Sequence, residues 1–348
     1  MQKRFFLFLF LAFSISSFAQ NKSSHQGKIG IIGFYNLENL FDTEDDPNIR
    51  DEEFTPNGKR AWTPELYTEK LDHMARVISE IGTDVNPDGL AILGVSEIEN
   101  RRVLEDLVRR PALEKRHYQI VHYDSPDERG IDVGLLYNPK YFVVTHSKTY
   151  PVMLFNGNGE RDFTRDVLLV SGIFDGEPLH IMVNHWPSRS GGEKASQHKR
   201  AAAAKVCKSL ADSILQIDPY AKIMIMGDLN DDPNSPSVKN VLQTKYDARK
   251  TKKGELFNPW QDIHRRGFGT LAYRDSWNLF DQIILSKGLI SNKTEGYHFY
   301  KANIFNKKYL IQSKGRYKGY PHRTFSGDNY IHGYSDHFPV YVYLLKKI

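Results

Sequence analysis

The sequence predicts an α/β (α+β) fold: a four-layer α/β/β/α sandwich, with two packed, mostly antiparallel sheets and helices on the outer faces. Three observations lead there. Early in the chain, short apolar runs of strand length alternate with amphipathic helical segments. Between residues 118 and 184 strand follows strand with no helix between, which excludes a simple parallel doubly wound sheet. The 348 residues can build a large core, yet show no internal repeat and no low-complexity tract. Two sheets packed face to face with helices outside bury all of these surfaces, and residues 29–348 read as one domain.

The first nineteen residues stand outside that fold. Lys3 and Arg4 precede the apolar run Phe5 to Phe13, and Ser17 and Ala19 are the small residues a signal peptidase reads, so cleavage is expected after Ala19. The run falls short of the roughly 20 residues a membrane span needs. No Cys follows it, which excludes a lipoprotein signal, and no later segment reads as transmembrane. The expectation is a secreted or periplasmic protein with no stable membrane insertion, and a monomer. Losing Lys3 and Arg4 lowers the net charge from +5 to +3, a balance that permits a polyanionic partner without requiring one. Cys207 is the only cysteine and lies in an Ala-rich helical stretch without a catalytic Cys motif, so it reads as a buried apolar filler.

The elements follow in order. Residues 20–28 are polar and read as a flexible leader. Lys28 to Tyr35 is a short apolar strand, left at Asn36, and an acidic loop with Pro and Gly runs from Asp42 to about Trp62. Pro64 to Ile81 is a helix, with Thr63 as cap and Leu71, Met74, Val77, Ile78 and Ile81 on one face. A buried strand at 90–95 and a helix at 101–108 come next. Further strands are expected at 118–123, 131–137, 142–146, 167–174 and 179–184, then a long helix over 192–215. Strands at 222–226, 281–285 and 339–344 complete the sheets, while the aromatic, Gly-rich and basic stretch 312–333 fits neither period.

Polar residues stand where these strands end. Asn36 follows Ile31 to Tyr35, Glu97 follows Leu90 to Val95, and His185 follows Ile181 to Asn184. Asp228 and Asn230 follow Ile223 to Met226, and Asp336 and His337 precede the last strand. Asn and Asp favour turns, so each alone is an ordinary turn residue. Together they form one chemical set, hard oxygen ligands plus imidazoles.

Five blocks resemble the endonuclease/exonuclease/phosphatase superfamily: Phe34-Tyr35-Asn36-Leu37-Glu38-Asn39, Gly94 to Asn100, Val183-Asn184-His185-Trp186, Met226-Gly227-Asp228-Leu229-Asn230-Asp231 and Tyr334 to Pro339. Leu279 to Leu285, containing Asp281, is a weaker sixth. The blocks span nearly the whole chain after the leader. The resemblance implies a divalent-metal-dependent phosphoester hydrolase, with Glu97, Asn36 and Asp336 at the metal. Mg²⁺ is the expected cation, with Mn²⁺ or Ca²⁺ as alternatives. Hard cations of this kind take oxygen ligands and keep several waters. The resemblance gives Asp228 the attacking water, Asn230 a phosphate oxygen, and His337 and His185 the roles of transition-state or leaving-group donors. Asp281 would orient one of the two histidines, and the sequence does not say which.

Other residues are open to two readings. Arg129, Asp132 and Arg165 could face the site or sit in structural salt bridges, and Glu99 could be a carboxylate behind the site. The loop from Asp42 to Glu53 holds seven acids but lacks the ligand spacing of an EF-hand, so a solvated acidic loop is the default. The stretch from Lys314 to His332 carries Arg316, Lys318 and Arg323 among Tyr317, Tyr320, Phe325 and Tyr330. That mixture suits phosphate contact and base stacking, or else a loop packed on its own aromatics. Three functions remain in view: a nuclease or phosphodiesterase acting on nucleic acid; a phosphomonoesterase or phospholipid phosphodiesterase; and a catalytically inactive binding protein on the same scaffold. Against the phospholipid reading, no exposed apolar hairpin is recognisable.

Overall fold

The computed structural model describes residues 27–347 except 292. The expected signal peptide and nearly all of the expected leader lie outside the described residues. Gly27 and Lys28 already belong to the first strand, so the leader ends sooner than expected.

Twelve strands form two six-stranded sheets. The first sheet contains β1 (Gly27–Leu40), β2 (Ile92–Ile98), β3 (Gln119–His122), β4 (Asp132–Tyr137), β11 (Tyr297–Ile304) and β12 (Val340–Lys347), in the order β11-β12-β1-β2-β4-β3. The second contains β5 (Phe142–Tyr150), β6 (Val167–Phe174), β7 (Glu177–His185), β8 (Ile223–Asp228), β9 (Leu256–Phe257) and β10 (Asp281–Ser286), in the order β9-β10-β8-β7-β6-β5. Each sheet is antiparallel except for one parallel pair, β1 with β2 and β7 with β8. The helices are α1 (Pro64–Glu80), α2 (Arg101–Val108), α3 (Glu193–Ile217) and the short α4 (Trp260–Arg265).

The period-two alternation of the central strands sorts side chains between layers. In β1, Ile32 and Phe34 face the second sheet, while Ile31 and Tyr35 face Leu71, Met74, Val77 and Ile78 of α1. In β8, Met224 and Met226 face the first sheet, and Ile223 and Ile225 pack with Ala203, Cys207, Ala211 and Leu215 of α3. Each such aliphatic side chain, fully buried, contributes about 1.5–3 kcal/mol relative to exposure. Gly94 lets the sheets approach: a Cβ there would stand 2.6 Å from the Met226 sulfur. Thr63 accepts from the Leu66 N–H to cap α1, and Asn100 accepts from the Val103 N–H to cap α2.

Three features differ from the sequence reading. β1 continues to Leu40 instead of ending before Asn36, through a register shift against β2 between Asn36 and Leu40. β11 was not expected: it lies at a sheet edge, mostly half exposed, and so shows no apolar run. An exposed hairpin does exist, at Leu154–Phe155 and Arg161–Asp162, flanked by exposed Met153 and Phe163 and bearing exposed Phe155. Among the described residues, no helix is long and apolar enough to cross a membrane.

Candidate active site

The two parallel pairs decide where the chemistry gathers. Asn36 pairs with Ser96 near the C-terminal ends of β1 and β2, and Asp228 pairs with His185 at the ends of β8 and β7. Asp281, the first residue of β10, is the antiparallel partner of Asp228, and His337 lies just before β12. Strand ends from both sheets therefore open onto one end of the sandwich.

Local backbone geometry aims the side chains. β2 shifts register against β4 between Ser96 and Ile98, and the residue at that bulge is Glu97, with φ of +58°. Glu38, Asn39 and Asn230 also occupy the left-handed region, at φ of +48°, +53° and +48°. Non-glycine residues there cost on the order of 1–3 kcal/mol each and persist where neighbours hold them. Here the neighbours are visible. The Asn39 N–H donates to Glu97 Oε2 at 3.1 Å, the Glu38 N–H to Asn36 Oδ1 at 2.9 Å, and the Asn230 N–H to Asp228 Oδ1 at 2.9 Å.

Asp228 is the hub. Its Oδ2 accepts from Asn36 Nδ2 at 3.1 Å and stands 3.7 Å from His185 Nε2 and 3.8 Å from His337 Nε2. Asn36 Nδ2 also donates to Glu97 Oε1 at 3.0 Å, and His185 Nε2 lies 3.7 Å from that same oxygen. His337 Nδ1 meets Asp281 Oδ2 at 2.7 Å, so His337 is the histidine that Asp281 orients. The His337 N–H donates to Ser335 Oγ, whose hydroxyl donates to the Asn36 carbonyl, tying the two sheet-one contributions together.

The electrostatics separate the two histidines, which the sequence reading treated alike. Burial lowers the His185 pKa well below its ordinary value, and Arg165, Arg129 and His337 lower it further, so its ring is neutral. Burial also works against a charged His337, but Asp281 and Asp228 outweigh it and raise its pKa well above the ordinary value. Burial pushes the Asp228 carboxyl up to about 7, with Asp281 and Glu97 adding to the shift and His337 opposing it. A carboxyl near 7 is poised to exchange a proton at working pH.

The donor set fits a divalent cation. Ligand atoms of Glu97, His185 and Asp228 lie within 4.8 Å of one another, as do those of Asp228, Asp281 and His337. His185 Nδ1 and Asp281 Oδ1 are buried without hydrogen-bond partners among the described residues. Asn36 is held by hydrogen bonds on both ends of its amide. Its oxygen is taken by the Glu38 N–H and its nitrogen faces the two carboxylates, so it bridges Glu97 and Asp228 as a donor.

A model of the endonuclease/exonuclease/phosphatase family matches residues 31–346. The chain belongs to this family. It is a metal-dependent phosphoester hydrolase. No curated protein matches it. Among solved structures it is similar in fold to an endonuclease/exonuclease/phosphatase family protein from Bacteroides thetaiotaomicron (16% identity, 93% of this chain and 98% of that one, TM-score 0.54). A humanised D. rerio TDP2 is comparable (14% identity, 91% and 98% covered, TM-score 0.52). So is a mannosyl-6-phosphatase from Bacteroides thetaiotaomicron (16% identity, 90% and 99% covered, TM-score 0.52).

Within this family member the remaining expected residues divide. Asp336 accepts from Arg323 Nη2 at 3.0 Å, and its Oδ1 is 4.0 Å from His337 Nε2. Arg323 also donates to Glu38 at 3.4 Å and is part exposed at the site rim. Arg165 is committed to protein partners. It is buried and donates to Asp127 Oδ2 (2.8 Å), the His185 carbonyl (3.1 Å) and the Trp186 carbonyl (2.8 Å). Every arm of its guanidinium is used in holding the His185 strand end. Arg129 is half exposed and pairs with Asp127 on the same loop, while Arg316 is seen only against the ring of Tyr317. No hydrogen bond or ion pair to the site is found for Arg316 or Lys318 among the described residues. Asp132 is withdrawn into a buried pair with His122 Nε2 at 3.0 Å. Asn230, in a left-handed turn, has one amide proton on the Trp186 carbonyl at 2.9 Å, and the other has no partner among the described residues.

Glu38 is the residue the sequence reading missed. It is buried, accepts from the Thr324 N–H, and sits with Asp336, Lys70 and Arg323 around it. Burial and Asp336 raise its carboxyl to about 7, while burial lowers the Lys70 ammonium to about 8. Its signal was present, two residues after Asn36 in the first block, but a Glu in an expected loop reads as solvated.

Proposed function

We propose that this enzyme is a secreted or periplasmic nuclease or phosphodiesterase, built as one catalytic domain over 29–348 and acting as a monomer with Mg²⁺. Glu97 is the principal cation ligand, supported by Asp228 or Asp336. The cation, when bound, polarises the phosphoryl group and stabilises the leaving oxygen. Asp228 takes a proton from the attacking water, a role suited to its raised pKa and its buried position. Protonated His337, fixed by Asp281, donates to the phosphoryl oxygens or the leaving group. Neutral His185 and the free amide proton of Asn230 hold the phosphate in register.

The observation that carries this reading is Asp228 Oδ2, set between Asn36 (3.1 Å), His185 (3.7 Å) and His337 (3.8 Å). A nucleic-acid substrate is favoured by the exposed basic and aromatic rim, with Arg316 over Tyr317 and Arg323 beside Asp336. One of the solved relatives, D. rerio TDP2, is described as complexed with single-strand DNA product. A phospholipid diester is the second reading, favoured by exposed Met153, Phe155 and Phe163 on the hairpin beside Arg165. A screen of plasmid DNA, RNA, nucleotides, sugar phosphates and lipid phosphoesters, each with and without chelator, tests both. Turnover of nucleic acid that chelator abolishes is expected. Turnover confined to phosphomonoesters or lipids would overturn the first reading.

A further inference from the structure

Three segments of the site meet at Arg189, four residues after His185. Its Nε donates to the Asn230 carbonyl at 3.0 Å, and its Nη2 to Asp231 Oδ1 and Asp232 Oδ2, each at 3.2 Å. The guanidinium carbon lies 4.5 Å from the centroid of the Phe280 ring, and Phe280 immediately precedes Asp281. The Phe280 carbonyl accepts the Leu229 N–H at 2.9 Å, so the ring under the guanidinium is fastened to the same turn that the guanidinium holds. The segments leaving β7 and β8 and the one entering β10 therefore converge on a single side chain.

The acids around Arg189 have other partners. Asp231 also meets Arg200 Nε at 2.8 Å and accepts from Ser237 Oγ at 2.5 Å, and Asp232 Oδ1 accepts the Leu279 N–H at 2.8 Å. The Asn230 carbonyl has no second donor among the described residues. Asn230 holds a φ of +48°, a conformation that a non-glycine residue keeps only where its surroundings impose it. A charged donor grips a carbonyl more strongly than a neutral one. Only a planar fork serves every partner: Nε takes the carbonyl, Nη2 takes the carboxylates and the flat face lies on the ring, which a lysine ammonium cannot do at once. We propose that Arg189 is a positioning residue for the reaction, locking Asn230 in its left-handed turn so that the side-chain amide meets the phosphate; this rests on the phosphate-holding role given to Asn230 above.

The probes are bis(p-nitrophenyl) phosphate and p-nitrophenyl phosphate, an activated diester and an activated monoester, turned over by the full-length protein in MgCl₂. Arg189→Lys keeps the charge and loses the fork. Its melting temperature is expected to stay near that of the unsubstituted protein, while kcat falls by about tenfold or more and KM moves by less than about threefold, because a misplaced group costs rate before it costs binding. Asn230→Ala should lower kcat by a similar factor, and adding Arg189→Lys to it should cost little more, since both changes remove one interaction. A lysine variant with undiminished kcat would reduce Arg189 to a counter-ion for Asp231 and Asp232 and overturn the assignment. Losses that multiply in the double variant would overturn it too. The double variant decides even where Arg189→Lys lowers the melting temperature, because a general loosening multiplies with the loss at Asn230. Undiminished kcat in Asn230→Ala is a different failure: it removes Asn230 from the phosphate, and the role of Arg189 with it.

Discussion

His337 Nδ1 stands 2.7 Å from Asp281 Oδ2, and both side chains are buried. That contact fixes the ring, lets the Nδ1 N–H donate to the carboxylate, and turns Nε2 toward Asp228 and Asp336. It also supplies the largest pull toward a charged imidazole. Asp281→Asn keeps the shape and removes the charge. The expected outcome is a drop in kcat of roughly 10²-fold, within the usual range for acid–base groups. The alkaline limb of the kcat/KM profile should also move to lower pH, because His337 then loses its proton earlier. A pH profile of the variant checks this, and an unmoved alkaline limb would remove His337 as the acid.

Asp228→Ala removes the carboxyl at the hub, while Asn36 keeps its bond to Glu97. Turnover of any phosphodiester substrate is expected to fall by about 10³-fold or more, since a base and a cation neighbour vanish together. Substrate affinity, read from binding to the inactive variant, should change far less. Retained turnover would place the chemistry elsewhere in the chain.

Much of this was legible because strand ends carry chemistry. The apolar runs of β1, β2, β7 and β8 sit in the sandwich centre, so the polar residue after each run had to project from the same edge, and Asn36, Glu97, His185 and Asp228 do. Orientation was not legible. Asn36 has an oxygen and a nitrogen at equal reach, and a hydrogen bond from Glu38 across a left-handed turn decides between them. Arg165 stayed open between phosphate contact and a structural salt bridge because its partners, Asp127 and two carbonyls near His185, come from distant chain segments. The stretch 312–333 resisted both periods because it is held by aromatic packing: Phe325 and Tyr330 lie against Trp62 and leave Tyr317 exposed.

Arg165 provides a contrast between structural and substrate-facing cations. Arg165→Ala would leave buried Asp127 with only the half-exposed Arg129 as partner, and removing one member of a buried pair costs up to about 3–5 kcal/mol. A fall in denaturant midpoint and loss of the His185 anchor are expected together. Arg316→Ala, on an exposed loop, should change stability by within about 0.5 kcal/mol. It should also weaken nucleic-acid binding and flatten its dependence on salt. Equal stability losses in the two variants would contradict the assignment.

Stability of the chelated enzyme should fall as pH rises from about 5 to about 8, and the sign follows from the shifts. Asp228 and Glu38 titrate near 7 in the folded chain, above the ordinary carboxylate range, and His337 is also raised. A group whose folded pKa is raised contributes stability at low pH and loses it as pH climbs through the folded value. The pKa of His185 is shifted the opposite way, so it costs stability below the ordinary histidine value and adds no slope above it. The two carboxyls therefore withdraw stability up to about pH 7 and His337 does so above its ordinary value, all in one direction, at up to about 1.4 kcal/mol per pH unit for each extra proton the folded chain holds. A divalent cation at Glu97 and Asp228 would favour the ionised carboxylates and flatten the curve. Melting temperatures measured across this range in EDTA and in MgCl₂ should diverge as pH rises, and parallel curves would mean that the cation does not touch Asp228.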